Sequence, residues 1–183
     1  MRMQEKKDEK LSLKAQILDW LKFGIKLILI YLVITNSVGF TKVYGDSMSP
    51  SLKDGSILMV NRLSSYFGSP KIGDVVIIRE DGKEYDIVKR VIGLPGDTVA
   101  IKDGTVYVDD NPLPEIYALG EPNDMDKVLV PEGEIFVLGD NRTPGESLDS
   151  RDPSMGPVSI DDIKGYAVIS LYPFYKIMKP LKI

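Results

Sequence analysis

The 183-residue sequence contains no histidine and no cysteine. Without imidazole or thiol, Ser-His-Asp and Cys-His catalytic arrangements are excluded, as are zinc sites built on those ligands and all disulfides. A serine hydroxyl near neutral pH is a weak nucleophile and needs an adjacent base. If this chain does nucleophilic chemistry, a lysine kept neutral by its surroundings is the leading base. Tryptophan occurs once, and no internal repeat or low-complexity segment is visible.

The net charge of −4 is unevenly spread. Residues 1–26 carry a net +3 from Arg2, Lys6, Lys7, Lys10, Lys14, Lys22 and Lys26 against four acids, and the remainder is −7. An acidic body argues against nucleic acid, which needs a basic footprint to neutralise phosphates. The basic start leads into an apolar stretch whose uncharged part runs from Leu27 to Phe40. A bilayer span takes about 20 residues, so the uncharged part alone is short. Lys22 and Lys26 can reach back to headgroups, and Trp20 and Tyr31 suit an interface. The expected organisation is a basic cytoplasmic segment at 1–16, a single transmembrane helix at 17–40 and an extracytoplasmic domain at 41–183. A cleaved signal peptide is the rival reading, weakly matched at Ser37-Val38-Gly39, and a buried amphipathic helix is a third.

Beyond Phe40 the periodicity changes to short strands separated by turn residues. Strands are expected at 41–44, 56–61, 74–80, 83–92, 97–102, 105–109, 127–130, 135–138 and 166–172. Asp81-Gly82 and Asp103-Gly104 are two-residue hairpin signals, since both turn positions need positive φ. Residues 110–126, rich in Pro, Asn, Asp and Glu, read as a loop excursion outside the core. The only helical signal is a turn near Ile160–Lys164. The fold class is mainly β: an all-β domain behind an N-terminal helix.

Two features stand out in that body. Ser47 sits in Gly45-Asp46-Ser47-Met48-Ser49-Pro50, and Lys89 lies on an expected strand. Alternation puts Tyr85, Ile87, Lys89 and Val91 on one face and Asp86, Val88, Arg90 and Ile92 on the other. Lys89 therefore stands between apolar neighbours, where burial disfavours the ammonium form and suits a lysine to act as a base. Arg90 points the opposite way, towards a structural or solvent role. Alone, each signal has an ordinary reading: a lysine that blunts a strand edge and a Gly-Asp-Ser turn.

Taken together, four ordered motifs resemble the bacterial type I signal peptidases, in a Gram-positive-like form. Residues 45–52 resemble the nucleophile box, and Gly73-Asp74-Val75-Val76 the strand motif after it. Lys89-Arg90-Val91-Ile92-Gly93-Leu94-Pro95-Gly96-Asp97 is similar to the base box. Gly139-Asp140-Asn141-Arg142, then Ser147-Leu148-Asp149-Ser150-Arg151 and on to Gly156, is similar to the last box. The resemblance implies Ser47 as nucleophile, Lys89 as general base, Ser147 as a hydroxyl orienting the lysine, an Asp149–Arg151 ion pair, and Asp140 supporting the same loop. An ordinary turn network is the plainer reading of these acids, and a calcium loop lacks the EF-hand spacing. Gly45 stands where some members carry a serine that donates to the oxyanion, leaving the Ser47 N–H as the expected donor. Loss of one such donor costs about two to three orders of magnitude in other enzymes. Ser51 stands where threonine is commoner.

The activity implied is removal of signal peptides from secreted preproteins by a membrane-anchored Ser-Lys endopeptidase, cutting after small residues at −1 and −3. No metal or organic cofactor is expected. Preproteins and the lipid bilayer are the implied partners, with the secretion translocon a further candidate. An extended substrate would add to a strand edge, with Val43, Tyr44, Met48, Ile87 and Val88 lining shallow side-chain pockets; simple core packing is the alternative for these five. The tail at 174–183 alternates basic and apolar residues and is open to two readings, membrane contact or a disordered terminus. Two other functions compete: a self-cleaving Ser-Lys repressor, which would need a DNA-binding domain in place of the apolar segment, and an anchored β domain that binds without cutting.

Overall fold

The structure is a computed structural model that describes residues 2–79 and 85–177. The Asp81-Gly82 turn and the end of the tail lie outside the described residues. The chain divides into two compact units, one ending at Ser37 and the other beginning at Val38.

The first unit is a single helix, α1 (Arg2–Ser37). Leucine, isoleucine and phenylalanine from Ile17 to Ile34 are exposed on all its sides, with Trp20 at 73 % and Tyr31 at 66 %. Helix-forming residues dominate and proline is absent, so local propensity suffices for the helix. At its end Thr35, Asn36 and Ser37 turn their side chains back to the carbonyls of Tyr31, Leu32 and Val33, at 2.9, 2.7 and 2.6 Å. Such back-bonding weakens a helix, and the chain leaves it at Val38. The helix extends before the expected 17–40 segment at its start, and residues 38–40 belong to a strand. No helix among the described residues is long and apolar enough to cross a membrane. Lys22, 3.4 Å from Asp19, and Lys26 interrupt the apolar run.

The second unit is β. Its strands are β1 (Val38–Lys42), β2 (Ile57–Asn61), β3 (Val75–Arg79), β4 (Asp86–Gly93), β5 (Thr98–Lys102), β6 (Thr105–Val108), β7 (Asn111–Pro112), β8 (Met125–Leu129), β9 (Glu134–Leu138), β10 (Val158–Ser159), β11 (Ile163–Tyr172) and β12 (Phe174–Lys176). One sheet runs β1-β2-β11-β3-β4-β9-β10, with β12 paired to β11, and a four-stranded sheet runs β7-β6-β5-β8. A one-turn helix not foreseen in the sequence, α2 (Leu63–Phe67), follows β2, and a 3₁₀ turn spans Ile160–Asp162.

The main sheet is buried on both faces around β3. Val75 and Ile77 pack with Val43, Met48, Leu52, Leu58 and Val60, while Val76 and Ile78 pack with Val91, Ile135, Val137 and Ile163. That two-sided burial explains the unbroken apolar run at 75–78. A third cluster, with Ile92, Val99, Ile101, Val106 and Phe136 at its centre, ties β4 and β9 to the smaller sheet. On β4, Val88 joins the first cluster and Ile87 and Val91 the second, as strand alternation requires.

The 110–126 excursion is not wholly loop or wholly outside the core. It contains β7 and the start of β8, and Tyr117 within it is fully buried.

Candidate active site

Ser47 stands on the loop after β1, and that loop is held at several points. The Val43 N–H bonds the Ser56 carbonyl at 2.8 Å, and the Leu52 N–H bonds the Met48 carbonyl at 2.8 Å. Met48 and Leu52 are buried in the first cluster, so their side chains pin the loop from below. Gly45 has φ +81°, a conformation that other L-residues adopt only with strain. Its N–H donates to Asp54 Oδ1 at 2.9 Å and is therefore spent. The Ser47 N–H has no acceptor among the described residues. The Ser47 carbonyl accepts the Asn141 N–H at 3.0 Å, which ties the loop to the 139–151 segment.

Lys89 lies opposite Val76 in the β3–β4 register and is 3 % exposed. Its Nζ donates to Ser147 Oγ at 2.9 Å. Behind that contact Gly139 fills a place with no spare room. A Cβ there would lie 2.3 Å from Ser147 Oγ and 2.4 Å from the Ser47 carbonyl oxygen. Gly139 thus holds the backbone of Ser47 and the side chain of Ser147 side by side.

Two ionic layers support this cluster. Asp149 Oδ2 accepts the Gly139 N–H at 3.0 Å and pairs with Arg151 Nη2 at 2.8 Å. Burial pushes the Asp149 carboxyl up, but the Arg151 guanidinium, by hydrogen bond and charge, outweighs it. With the Gly139 N–H and the Ser147 hydroxyl it holds Asp149 below the usual carboxylate range. Arg151 Nη1 continues to the Arg142 carbonyl at 2.9 Å. In the second layer Arg90, wholly buried, forms a two-pronged pair with Asp140 at 2.7 and 2.6 Å and donates to the Gly73 carbonyl at 3.0 Å. Asp140, expected to support the same loop as Asp149 and Arg151, ties that loop to β4 one residue from Lys89. Tyr117 lies against Arg90, with the guanidinium carbon 3.8 Å from the ring centre, and donates to Glu115 Oε1 at 2.7 Å. Glu115 in turn pairs with the buried Arg142 at 2.6 Å. Burial and the Glu115 charge push the Tyr117 phenol well above its ordinary value.

A cavity of about 360 Å³ opens over this cluster. Ser47 and Lys89 line it together with Val43, Tyr44, Met48, Ile87, Val88, Lys42, Tyr85 and Asp86. The five residues named as pocket candidates therefore surround the same space, although Val43 and Met48 also pack in the core. Sequence reasoning did not single out Arg90, Glu115, Tyr117 or Arg142 as site-building residues. Arg142 had a signal in its motif and Arg90 in its place beside Lys89; Glu115 and Tyr117 had none. No group of three or more carboxylates among the described residues is arranged to hold a metal ion.

The class follows from a mainly β domain in which a serine hydroxyl and a buried amine share a cavity with apolar walls: such a site suits hydrolysis of an extended chain. Comparison with known proteins supplies the family. Residues 17–172 match the family described as signal peptidase, peptidase S26. The sequence is 34 % identical to signal peptidase I P of Bacillus subtilis subsp. natto over 94 % of this chain and 98 % of the relative. It is 38 % identical to a signal peptidase I of Bacillus licheniformis over 91 % of this chain and 94 % of that one. A crystal structure of a signal peptidase I from Enterococcus faecalis, 31 % identical, gives a TM-score of 0.46 over 54 % of this chain and 96 % of that one. The chain belongs to the S26 signal peptidase family and is a serine endopeptidase.

Proposed function

We propose that this chain removes signal peptides from preproteins, with Ser47 as nucleophile and Lys89 as general base. The observation that carries the reading is the shared cavity: Ser47 and the buried Lys89 line one space, and Ser147 receives a hydrogen bond from the lysine. Burial disfavours the charged form of an amine, which leaves a lone pair for the serine proton. Oγ then bonds to the scissile carbonyl carbon while Nζ takes its proton. The negative oxygen so formed lies within reach of the Ser47 N–H. As the C–N bond breaks, the lysine ammonium protonates the departing nitrogen, leaving an ester on Ser47. Lys89 next takes a proton from water, the resulting hydroxide attacks the ester, and the proton passes to Oγ as the signal peptide leaves with a free carboxyl end.

The walls support a preference for small residues at −1 and −3. Ile87 and Val88 lie on β4 and Val43 directly follows β1, so an extended substrate can run between these backbones with alternate side chains entering the cavity. The anchor belongs to the same proposal. Exposed apolar residues on every side of α1 favour a lipid environment over water, with Lys22 and Lys26 reaching the headgroups and the basic end on the cytoplasmic side. The β unit then lies outside the membrane, where an anchored enzyme and an inserted signal peptide meet at raised effective concentration.

A reactive-serine probe tests the reading. It labels Ser47 in the folded wild type and fails to label Lys89→Ala if the lysine activates the hydroxyl. Equal labelling of both, or none of either, refutes it and favours a binding domain that does not cut.

A further inference from the structure

A second cavity, about 540 Å³, has Ser147 in its wall. Asn123, Asp124, Leu148, Arg151 and Asp152 line it as well. The two cavities share no lining residue and are joined by the 2.9 Å contact between Lys89 and Ser147. This arrangement has a direction. On the reading above, the group that protonates the departing nitrogen is Lys89, so the part of the substrate that follows the cut bond lies on the lysine side of Ser47. Ser147 is the next group on that side.

The second cavity differs from the first in charge. Its one cation, Arg151, is already paired with Asp149 at 2.8 Å. Asp124 and Asp152 are the remaining charges, and neither has an ion-pair partner among the described residues. Backbone contacts hold both carboxylates in place: Asp124 Oδ1 accepts the Asp103 N–H at 2.9 Å, and Asp152 Oδ1 accepts the Ser154 N–H at 2.8 Å. The first cavity is walled largely by apolar groups, whereas this one mixes polar groups with Met125, Pro144, Leu148 and Pro153 and is net negative.

We propose that the cavity formed by the 123–125 and 144–153 segments is the subsite for the first residues of the mature protein, and that Asp124 and Asp152 make it select against acidic residues there. The inference rests on the peptidase reading and extends it from the signal-peptide side of the bond to the other. The newly freed α-amino group, cationic once released, fits the same charge. A lysine two or three residues beyond the bond gains from the two carboxylates, and a glutamate there is repelled. Both carboxylates are exposed, so each contributes modestly and salt weakens the effect.

The test compares peptides identical through an Ala-x-Ala junction and carrying Lys, Gln or Glu at the second and third positions after the bond. The ratio of kcat/KM for the Lys peptide over the Glu peptide is expected to be roughly fivefold at low salt. It should fall towards one in Asp124→Asn/Asp152→Asn and persist in Asp161→Asn, a carboxylate at a different cavity. Because the ratio is taken within each protein, a general loss of activity or folding cancels. A wild-type ratio near one, or a ratio unchanged in the double variant, overturns the subsite while leaving the peptidase reading intact. Failure of wild type to cut any of the three peptides overturns the peptidase reading itself, and the subsite with it.

Discussion

Gly139→Ala is the sharpest perturbation this structure offers, because it adds one methyl group and removes nothing. Gly139 does not lie in the positive-φ region, so alanine can adopt its backbone conformation and only space opposes it. The added carbon would sit 2.4 Å from the Ser47 carbonyl oxygen, 2.3 Å from Ser147 Oγ and 2.8 Å from Ser147 Cβ. Ordinary contact begins at 3.4 Å, so Ser47 and Ser147 must together give way by about 1 Å. A displacement of that size at reacting groups costs about 10²-fold in rate. Overpacking in a close-packed region costs about 1–3 kcal/mol in stability, or a fall in Tm of roughly 3–10 °C. The assay is steady-state cleavage of a signal-junction peptide with thermal unfolding in parallel. We expect a loss of about 10²-fold in kcat, with KM changing far less because Gly139 itself does not line the first cavity. A folded variant whose kcat stays within a few-fold of wild type refutes the claim that Gly139 holds Ser47 and Ser147 in register.

Other perturbations address the ionic layers. Asp140→Ala leaves Arg90 charged and buried at a site where both partners are fully inaccessible; the expected loss is about 3–5 kcal/mol, measured by urea unfolding, and Arg90→Met/Asp140→Leu should recover part of it. Asp149 has a depressed folded pKa, so its contribution is present above the ordinary carboxylate value of about 3.9 and fades as pH falls from there towards the folded value. Tm in wild type should therefore drop more steeply on acidification below pH 4 than in Asp149→Asn. Tyr117 has a raised folded pKa, so its contribution is complete below about pH 10 and is lost as pH rises and the unfolded phenol ionises. Tyr117→Phe should flatten the alkaline limb of the Tm profile between about pH 10 and 11.5.

Patterning alone indicated most of the β unit. Alternation on β4 placed Lys89 beside Ile87 and Val91, and Asp103-Gly104 marked the β5–β6 hairpin, with both residues at positive φ. Strand order was not legible, because the neighbours of β11 in the sheet, β2 and β3, are about 100 residues distant in sequence. The excursion misled for a related reason. Its polar composition describes most of its residues, whereas its structural part rests on one tyrosine and one glutamate whose partners, Arg90 and Arg142, lie on other segments. At the site, motif order brought Ser47, Lys89 and Ser147 forward, and the structure places them together. What motifs could not reveal was the space Gly139 leaves, the spent N–H of Gly45, or a second cavity behind Ser147.

The central claim is that Lys89 serves Ser47 as its base. The measurement that tests it most directly is kcat for a fluorogenic peptide with an Ala-x-Ala junction, in detergent, for wild type, Ser47→Ala and Lys89→Ala of matched folded content. Loss of a general base costs about 10²–10⁴-fold, and the account predicts a loss in that range for Lys89→Ala, with Ser47→Ala at least as low. A folded Lys89→Ala enzyme that cuts at the wild-type rate would contradict it.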